Sequence, residues 1–337
     1  MKRTTNTLAA AWLLAGALTG SFAAHPASAA APQVLTQAPG YYRMLLGSFE
    51  VTALSDGTVT IPLDELLTGT SAQHVRATLA RSHLAPRVET SINAFLVNTG
   101  KHLVLVDTGA GVLFGPDAGG KLQDSIRAAG YSADQIDAVL LTHIHGDHSG
   151  GLASDGRMLF PNAHIYVNRL DARFWLDAAN RAAAPKKERA TFDQAMAQFA
   201  PYQAAGKVRT FDGATELLPG IRTAPAVGHT PGHTVYVVES GGKALHFWGD
   251  MLHAQDVQFP EPDVTIKFDV DSRAAAGQRK AALKDAAARG YLVAAAHVSF
   301  PGIGYVRRQG KGFEWLPLPY SSLQRRARDA DVPDGNQ

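Results

Sequence analysis

The hydrophobic positions of this chain come in short runs separated by turn residues. Apolar and polar residues alternate over Phe49–Leu54 and Thr58–Ile61, the period of two of a half-buried strand, and Asp56-Gly57 between them predicts a hairpin. Thr90–Val97 and Leu103–Val106 read as a second strand pair about Thr99-Gly100. Ala138–Leu141 is apolar throughout and bounded by Asp137 and Thr142, which predicts a buried strand. Further strands are expected at Ala163–Val167, Val208–Phe211, Ile221–Ala224, Thr234–Glu239, Ala244–Trp248 and Tyr291–Ala296. Helical spacing appears in Ser71–Ser82, where Ala72, Val75 and Leu79 share one face, and in Leu122–Ala129, closed by Gly130. Helices are also expected over Arg169–Ala184, Ala190–Ala200 (separated by Pro185) and Ala274–Ala288. Strands in two groups, each followed by helices, place the chain in the α/β class.

Composition changes this picture mainly at the N-terminus. Lys2 and Arg3 precede an apolar stretch from Leu8 to Leu18 and the small-x-small triplet Ala27-Ser28-Ala29. That is the pattern of a secretory signal peptide, so residues 1–29 are expected to be removed and the remainder exported, to the periplasm or beyond, with no membrane anchor. Removing Lys2 and Arg3 from the 32 basic residues leaves them equal to the 30 acidic ones. A neutral mature chain gives no reason to expect nucleic-acid or membrane-surface partners. Residues 30–337 show no repeat or composition break and are predicted to form a single domain with an N-terminal arm and a helical insertion at about 169–200. Cysteine is absent, so no disulfide holds this exported chain together and any metal ligand must be nitrogen or oxygen.

The chemistry is concentrated after the strand at Ala138–Leu141. Thr142-His143-Ile144-His145-Gly146-Asp147-His148-Ser149-Gly150-Gly151 packs three imidazoles and a carboxylate into six residues of a turn. Packing does not explain such a run, whereas imidazole and carboxylate are the ligands of borderline divalent cations such as zinc. His143 and His145 can point the same way from extended backbone, while Asp147 and His148 come round the turn. That arrangement suits two adjacent ions better than one.

This H-x-H-x-D-H run resembles the signature of the metallo-β-lactamase superfamily. Four more passages carry the likeness in order: Val104-Leu105-Val106-Asp107-Thr108-Gly109, Gly228-His229-Thr230-Pro231-Gly232-His233-Thr234, Leu245-His246-Phe247-Trp248-Gly249-Asp250 and Ala294-Ala295-Ala296-His297-Val298. The resemblance implies a four-layer αβ/βα sandwich. It also implies two divalent ions, zinc first, with Mn, Fe or Co compatible. By residue matching, His143, His145 and His233 would hold one ion and Asp147, His148 and His297 the other. Asp250 would bridge them, Asp107 would support a ligand from behind, and His229 would be structural. A water between two such ions loses a proton near neutral pH, and the bridging hydroxide attacks an electrophilic carbonyl or phosphorus. Asp147 and Asp250 are the carboxylates closest to that event.

Within the superfamily the chain is similar to the methyl parathion hydrolase group of organophosphorus hydrolases and lactonases. Gln37–Arg43, Ala53–Gly57, Gly228–Ser240 and His297–Gly302 carry that likeness. It implies a small ester, lactone or organophosphate triester as substrate, and a homodimer. Phe114, Trp175 and Phe192 are expected to wall the substrate pocket, with Trp175 foremost and Phe174 an equally good core residue. His253, three residues after Asp250, is a further pocket-lining candidate. Two alternatives remain: a β-lactamase of the cysteine-free class, and a non-catalytic periplasmic metal-binding protein that keeps the fold. A glyoxalase II reading is disfavoured, since its helical domain follows the last histidine and about forty residues follow His297 here.

Overall fold

The structure, a computed structural model, describes residues 31–322; the leader expected at residues 1–29 lies outside them. Residues 31–37 run without regular structure. From Ala38 on the chain forms one compact unit built on two seven-stranded sheets.

The first sheet takes its strands in chain order: β1 (Tyr41–Leu46), β2 (Phe49–Pro62), β3 (Arg87–Asn98), β4 (Leu103–Val106), β5 (Ala138–Leu140), β6 (His164–Asn168) and β7 (Val208–Phe211). Its first four strands pair antiparallel and the last three join in parallel. The second sheet is likewise sequential: β8 (Glu216–Leu218), β9 (Ile221–Pro225), β10 (Thr234–Ser240), β11 (Lys243–Phe247), β12 (Leu292–Ala294), β13 (Ile303–Gln309) and β14 (Gly312–Pro317).

The side chains of these strands sort into layers. Val51, Phe95, Val104 and Val106 of the first sheet meet Tyr236, Val238, Leu245 and Phe247 of the second in a shared core. The opposite face of the first sheet buries Leu105, Val139 and Ile165 against Phe192, Phe199 and Tyr202 of a helix. The outer face of the second packs Val237 and Val293 on Leu283 and Ala286 of another. Helix, sheet, sheet, helix is a four-layer αβ/βα sandwich.

Besides single helical turns, the helices of the described residues are α1 (Ala72–Arg81), α2 (Leu122–Ala128), α3 (Arg169–Trp175), α4 (Ala178–Ala183), α5 (Arg189–Ala204) and α6 (Ser272–Arg289). Ser71 caps α1 through a bond from the His74 N–H, and Asp271 caps α6, which ends at left-handed Gly290.

Three sequence expectations need correction. The helix expected over Arg169–Ala184 is two, because Asp177 takes the Ala179 N–H and starts a new helix after Leu176. α5 continues four residues past its expected end through Pro201, whose carbonyl still accepts from Ala205. The hairpin about Asp56-Gly57 is one continuous strand of 14 residues with a bulge there. Asp56 turns inward instead of capping a turn. Its carboxylate is fully buried and accepts the N–H groups of Ala110, Gly120 and Leu122 at 2.8–2.9 Å. The C-terminal pair β13–β14, which completes the second sheet, went unassigned in the sequence.

Asp56→Ala would leave three buried backbone donors without an acceptor, each costing about 1–3 kcal/mol. Denaturant unfolding is expected to show a loss on the order of 3 kcal/mol or more, and a loss below about 1 kcal/mol would refute the bracing role.

Candidate metal centre and substrate cavity

The loops that leave the parallel strands of the first sheet and the central strands of the second meet at one edge of the sandwich. After β5 the chain passes through Thr142 to His145 and enters a single helical turn, Gly146–Ser149. Two bonds fix this loop to the second sheet: the Thr234 N–H donates to the Thr142 carbonyl (2.9 Å) and the Tyr236 hydroxyl to that of Leu141 (2.6 Å). Gly249 allows the Asp250 loop to come close, since a Cβ there would stand 2.7 Å from Thr142 and 2.9 Å from His233.

Two groups of ligand-type atoms result. In the first, His145 Nδ1 lies 3.1 Å from His143 Nε2 and 3.0 Å from His229 Nε2, and His229 Nε2 is 3.1 Å from Asp250 Oδ2. In the second, His148 Nε2 and His297 Nε2 lie 2.9 and 3.0 Å from Asp250 Oδ1, with Asp147 Oδ2 3.4 Å from His297. Asp250 thus offers one oxygen to each group. His253 Nε2 also reaches its Oδ2, at 2.9 Å.

The first group differs from the one expected from sequence, holding His229 where His233 was expected. His233 stands outside it because both ring nitrogens are taken by backbone: Nδ1–H donates to the Ala226 carbonyl and Nε2 accepts the Asp250 N–H, each at 3.1 Å. No lone pair is left for a cation. Burial pushes the ring down to about 3, so it is a neutral strut. His229, expected to be structural, occupies the group instead. A positional signal was available: His233 abuts the start of β10, whereas His229 sits at the loop tip beyond the end of β9.

Most of the rings are held from behind. His148 Nδ1–H donates to Asp107 (2.9 Å), His229 Nδ1–H to Asp269 (2.8 Å), and His297 Nδ1–H to the Ser91 carbonyl (2.9 Å), while His143 Nδ1 lies 3.1 Å from the Thr142 hydroxyl. Each bond fixes a tautomer and turns the other nitrogen inward. Asp107 holds a left-handed φ of 60°, uncommon for a residue with a Cβ, and also accepts the N–H and hydroxyl of Thr142 at 2.8 Å. Asp171, on α3, takes the Ile144 N–H (2.9 Å), the Thr230 hydroxyl (2.9 Å) and the Gly232 N–H (2.6 Å), so one buried carboxylate ties both histidine loops together. Neither Asp171 nor Asp269 was singled out in the sequence.

The inward atoms are buried and short of partners. His148 Nε2, His297 Nε2 and Asp250 Oδ1 have no hydrogen bond, though buried polar atoms normally find one. Burial raises the Asp250 carboxyl, but the surrounding His148, His297 and His253 outweigh it and hold the group well below the carboxylate range. Burial lowers His229, but Asp250 and Asp269 overcome it and bring the ring to about 9. Nitrogen and oxygen donors at this spacing, with support behind them, fit divalent cations.

A cavity of about 970 Å³ opens above these groups. Asp147, Asp250, His253 and His297 contribute to its floor, and Phe114, Phe174, Trp175 and Phe192 to its walls. Trp175 packs edge-on to His145 with ring centres 5.2 Å apart and lies 4.8 Å from Phe192. Trp175 and Phe192 are buried, whereas Phe114 is 40% exposed.

Residues 87–297 match the family model described as the metallo-beta-lactamase superfamily. A probable metallo-hydrolase of Mycobacterium bovis is 26% identical over 200 residues, 53% of this chain, and the chain spans 60% of that relative's length. Among solved structures, the hydrolase AbOPH, described as in the beta lactamase superfamily, is 36% identical. It superposes with a TM-score of 0.81 over 85% of this chain and 100% of its own. AidC, a dizinc quorum-quenching lactonase in complex with a product N-hexanoyl-L-homoserine, is 29% identical with a TM-score of 0.78, covering 84% of this chain and 99% of its own.

Two predictions follow from the geometry of this edge. Metal titration should find that His229→Ala weakens binding by about 10-fold or more, the scale set by losses around a metal site. His233→Ala should instead lower unfolding free energy by about 1–3 kcal/mol as the Asp250 N–H loses its acceptor; the reverse pattern would restore His233 as the ligand. Burial pushes the Asp171 carboxyl up to about 6 from its ordinary 3.8, against the pull of its three donors. A folded-state value above the unfolded one favours folding at low pH and loses that advantage as pH rises through the folded value. The zinc-stripped protein, measured against Asp171→Asn, should therefore lose on the order of 3 kcal/mol of relative stability between about pH 4 and about pH 6. A flat difference would show that Asp171 stays ionised throughout.

Proposed function

The chain belongs to the metallo-beta-lactamase superfamily, and within it we propose an exported dinuclear metal-dependent hydrolase of small neutral esters, lactones or organophosphate triesters. His143, His145 and His229 would hold one ion, Asp147, His148 and His297 the other, and Asp250 would stand between them. The observation that carries this reading is the single Asp250 carboxylate turning one oxygen to each group, 3.1 Å from His229 and 2.9 Å from His148. Bound there, two divalent cations supply Lewis acidity toward the substrate oxygen and an activated water.

The chain's own groups do the rest. Trp175, Phe174 and Phe192 form an apolar wall that suits an acyl chain or an aryl leaving group and excludes water from the reacting centre. Asp147, 18% exposed at its side chain and on the cavity floor, is the carboxylate placed to pass a proton between the centre and solvent. His253 donates Nε2–H to Asp250 and fixes the rotation of that carboxylate. The likeness to AidC, whose bound product is an acyl-homoserine, supports a lactone as first candidate. The methyl parathion hydrolase likeness of the sequence keeps triesters beside it.

The test is parallel hydrolysis of N-hexanoyl-homoserine lactone, a paraoxon-type triester and a cephalosporin by the zinc-loaded protein and its Asp250→Ala variant. Lactone or triester turnover is expected, falling by on the order of 10³-fold or more in the variant, the several kcal/mol a metal centre contributes. Turnover of the cephalosporin alone would overturn the substrate class. Bound metal without turnover of any of the three would overturn the hydrolase reading.

A further inference from the structure

The cavity wall and the first group of histidines are joined by a short segment outside every metal motif. Thr265–Ile266 pairs antiparallel with Leu67–Thr68, and the chain then turns through Lys267, Phe268, Asp269 and Val270, all of which line the cavity. The turn is closed on itself: the Asp269 N–H donates to the Ile266 carbonyl (3.0 Å) and the Ile266 N–H to Asp269 Oδ2 (3.2 Å). It is then docked on the loop that carries His229. The Val270 N–H donates to the His229 carbonyl (3.0 Å), the Asp271 N–H to the Gly228 carbonyl (2.8 Å), and Asp269 Oδ1 receives Nδ1–H of the His229 ring (2.8 Å).

The Asp269 side chain is fully buried, and a buried carboxylate needs a compensating charge. The His229 ring supplies most of it, and Arg279, the large buried cation of α6, stands behind. Its Nη2 lies 4.0 Å from Asp269 Oδ2 at 0% exposure. Its remaining nitrogens donate to the carbonyls of Met251 (2.7 Å), Pro262 (3.0 Å) and Val264 (2.7 Å). One guanidinium therefore braces the residue after Asp250 and the segment just before the Thr265–Ile266 strand.

Resting on the two-ion reading above, we propose that Asp269, backed by Arg279, is the positioning residue of the His229 half of the centre, and that it couples metal occupancy there to the order of the cavity wall at 267–270. The carboxylate holds the His229 tautomer and ring plane. A cation held at Nε2 would fix that ring from the other side and, through Nδ1–H and Asp269, the turn that places Phe268 in the cavity wall. Asp107 stands in the same relation to His148 but belongs to no wall, so the coupling is confined to one half of the centre.

Amide hydrogen exchange of the wild-type protein with and without zinc, together with chelator competition on Asp269→Asn, tests this. Zinc is expected to slow exchange at 266–271 by about 10-fold or more while leaving the 303–317 hairpin unchanged. Asp269→Asn is expected to release one zinc at about 10- to 100-fold weaker chelation than wild type, to keep the other, and to exchange at 266–271 alike with and without zinc. Exchange at 266–271 indifferent to zinc in the wild type overturns the proposal. An unchanged two-zinc release in Asp269→Asn, or loosening of both ions together, also overturns it. If the variant does not fold, the wild-type exchange decides alone. Failure of the wild-type protein to bind zinc would remove the two-ion reading itself, and this inference with it.

Discussion

Four imidazoles lie within hydrogen-bonding distance of a single buried carboxylate, and much of the molecule is arranged to keep them there. His148, His229, His253 and His297 reach Asp250 at 2.9–3.1 Å. Ionisable groups this crowded and this buried are costly unless each is paired and oriented. The pairing comes from outside the cluster, with a carboxylate behind His148, another behind His229 and a backbone carbonyl behind His297. Because each support also removes one ring nitrogen from play, the set of inward-facing atoms is decided by the supports. The two histidines of the Gly228–Thr234 loop illustrate it. One has a single nitrogen tied and joins the centre, while the other has both tied and becomes a strut.

The fold serves this constraint by bringing its loops to one edge of two sheets that share a core. Neither sheet holds the centre alone. The first delivers His143, His145, Asp147 and His148 after β5, and the second delivers Asp250 and His297 after β11 and β12. Cross-sheet bonds at Leu141 and Thr142 fix the relative height of the two loop sets. Close approach demands small residues at the crossing points. A Cβ on Gly232 would stand 2.6 Å from the Asp171 backbone nitrogen, so the loop between the two histidines must carry glycine to reach its brace.

What could be read from the sequence was whatever the chemistry concentrates locally. The H-x-H-x-D-H run lies on one loop, and its spacing alone announces paired ligands; strand runs such as Ala138–Leu141 and Thr234–Glu239 are equally local. The misread features depend on partners far along the chain. Asp56-Gly57 looks like a turn until the N–H groups of Ala110, Gly120 and Leu122, more than fifty residues on, claim the Asp56 carboxylate. His229 and His233 share one short motif, and apart from the nearness of His233 to β10 the choice falls to the Ala226 carbonyl and the Asp250 N–H. Asp171, Asp269 and Arg279 look like ordinary charges in a surface helix, a loop and an alanine-rich helix. Their meaning lies in contacts 61, 40 and 28 residues distant.

Those three residues also bear on how such a site can change. Asp171 and Trp175 share one face of α3, four residues apart, so the helix that supplies the foremost aromatic of the cavity wall also supplies the brace for both histidine loops. Asp269 and Phe268 are adjacent, one on the His229 ring and the other in the wall. The orientation of the histidine loops and the shape of the cavity are therefore carried by the same two short segments. A substitution that reshapes the wall by moving α3 or the 265–271 turn must disturb the orientation of a histidine in the cluster. One that only trims a side chain, at Phe114 on the exposed rim, need not. Variation in substrate range is accordingly cheapest at the rim and most constrained at Trp175, which is buried in the core and packs edge-on to His145.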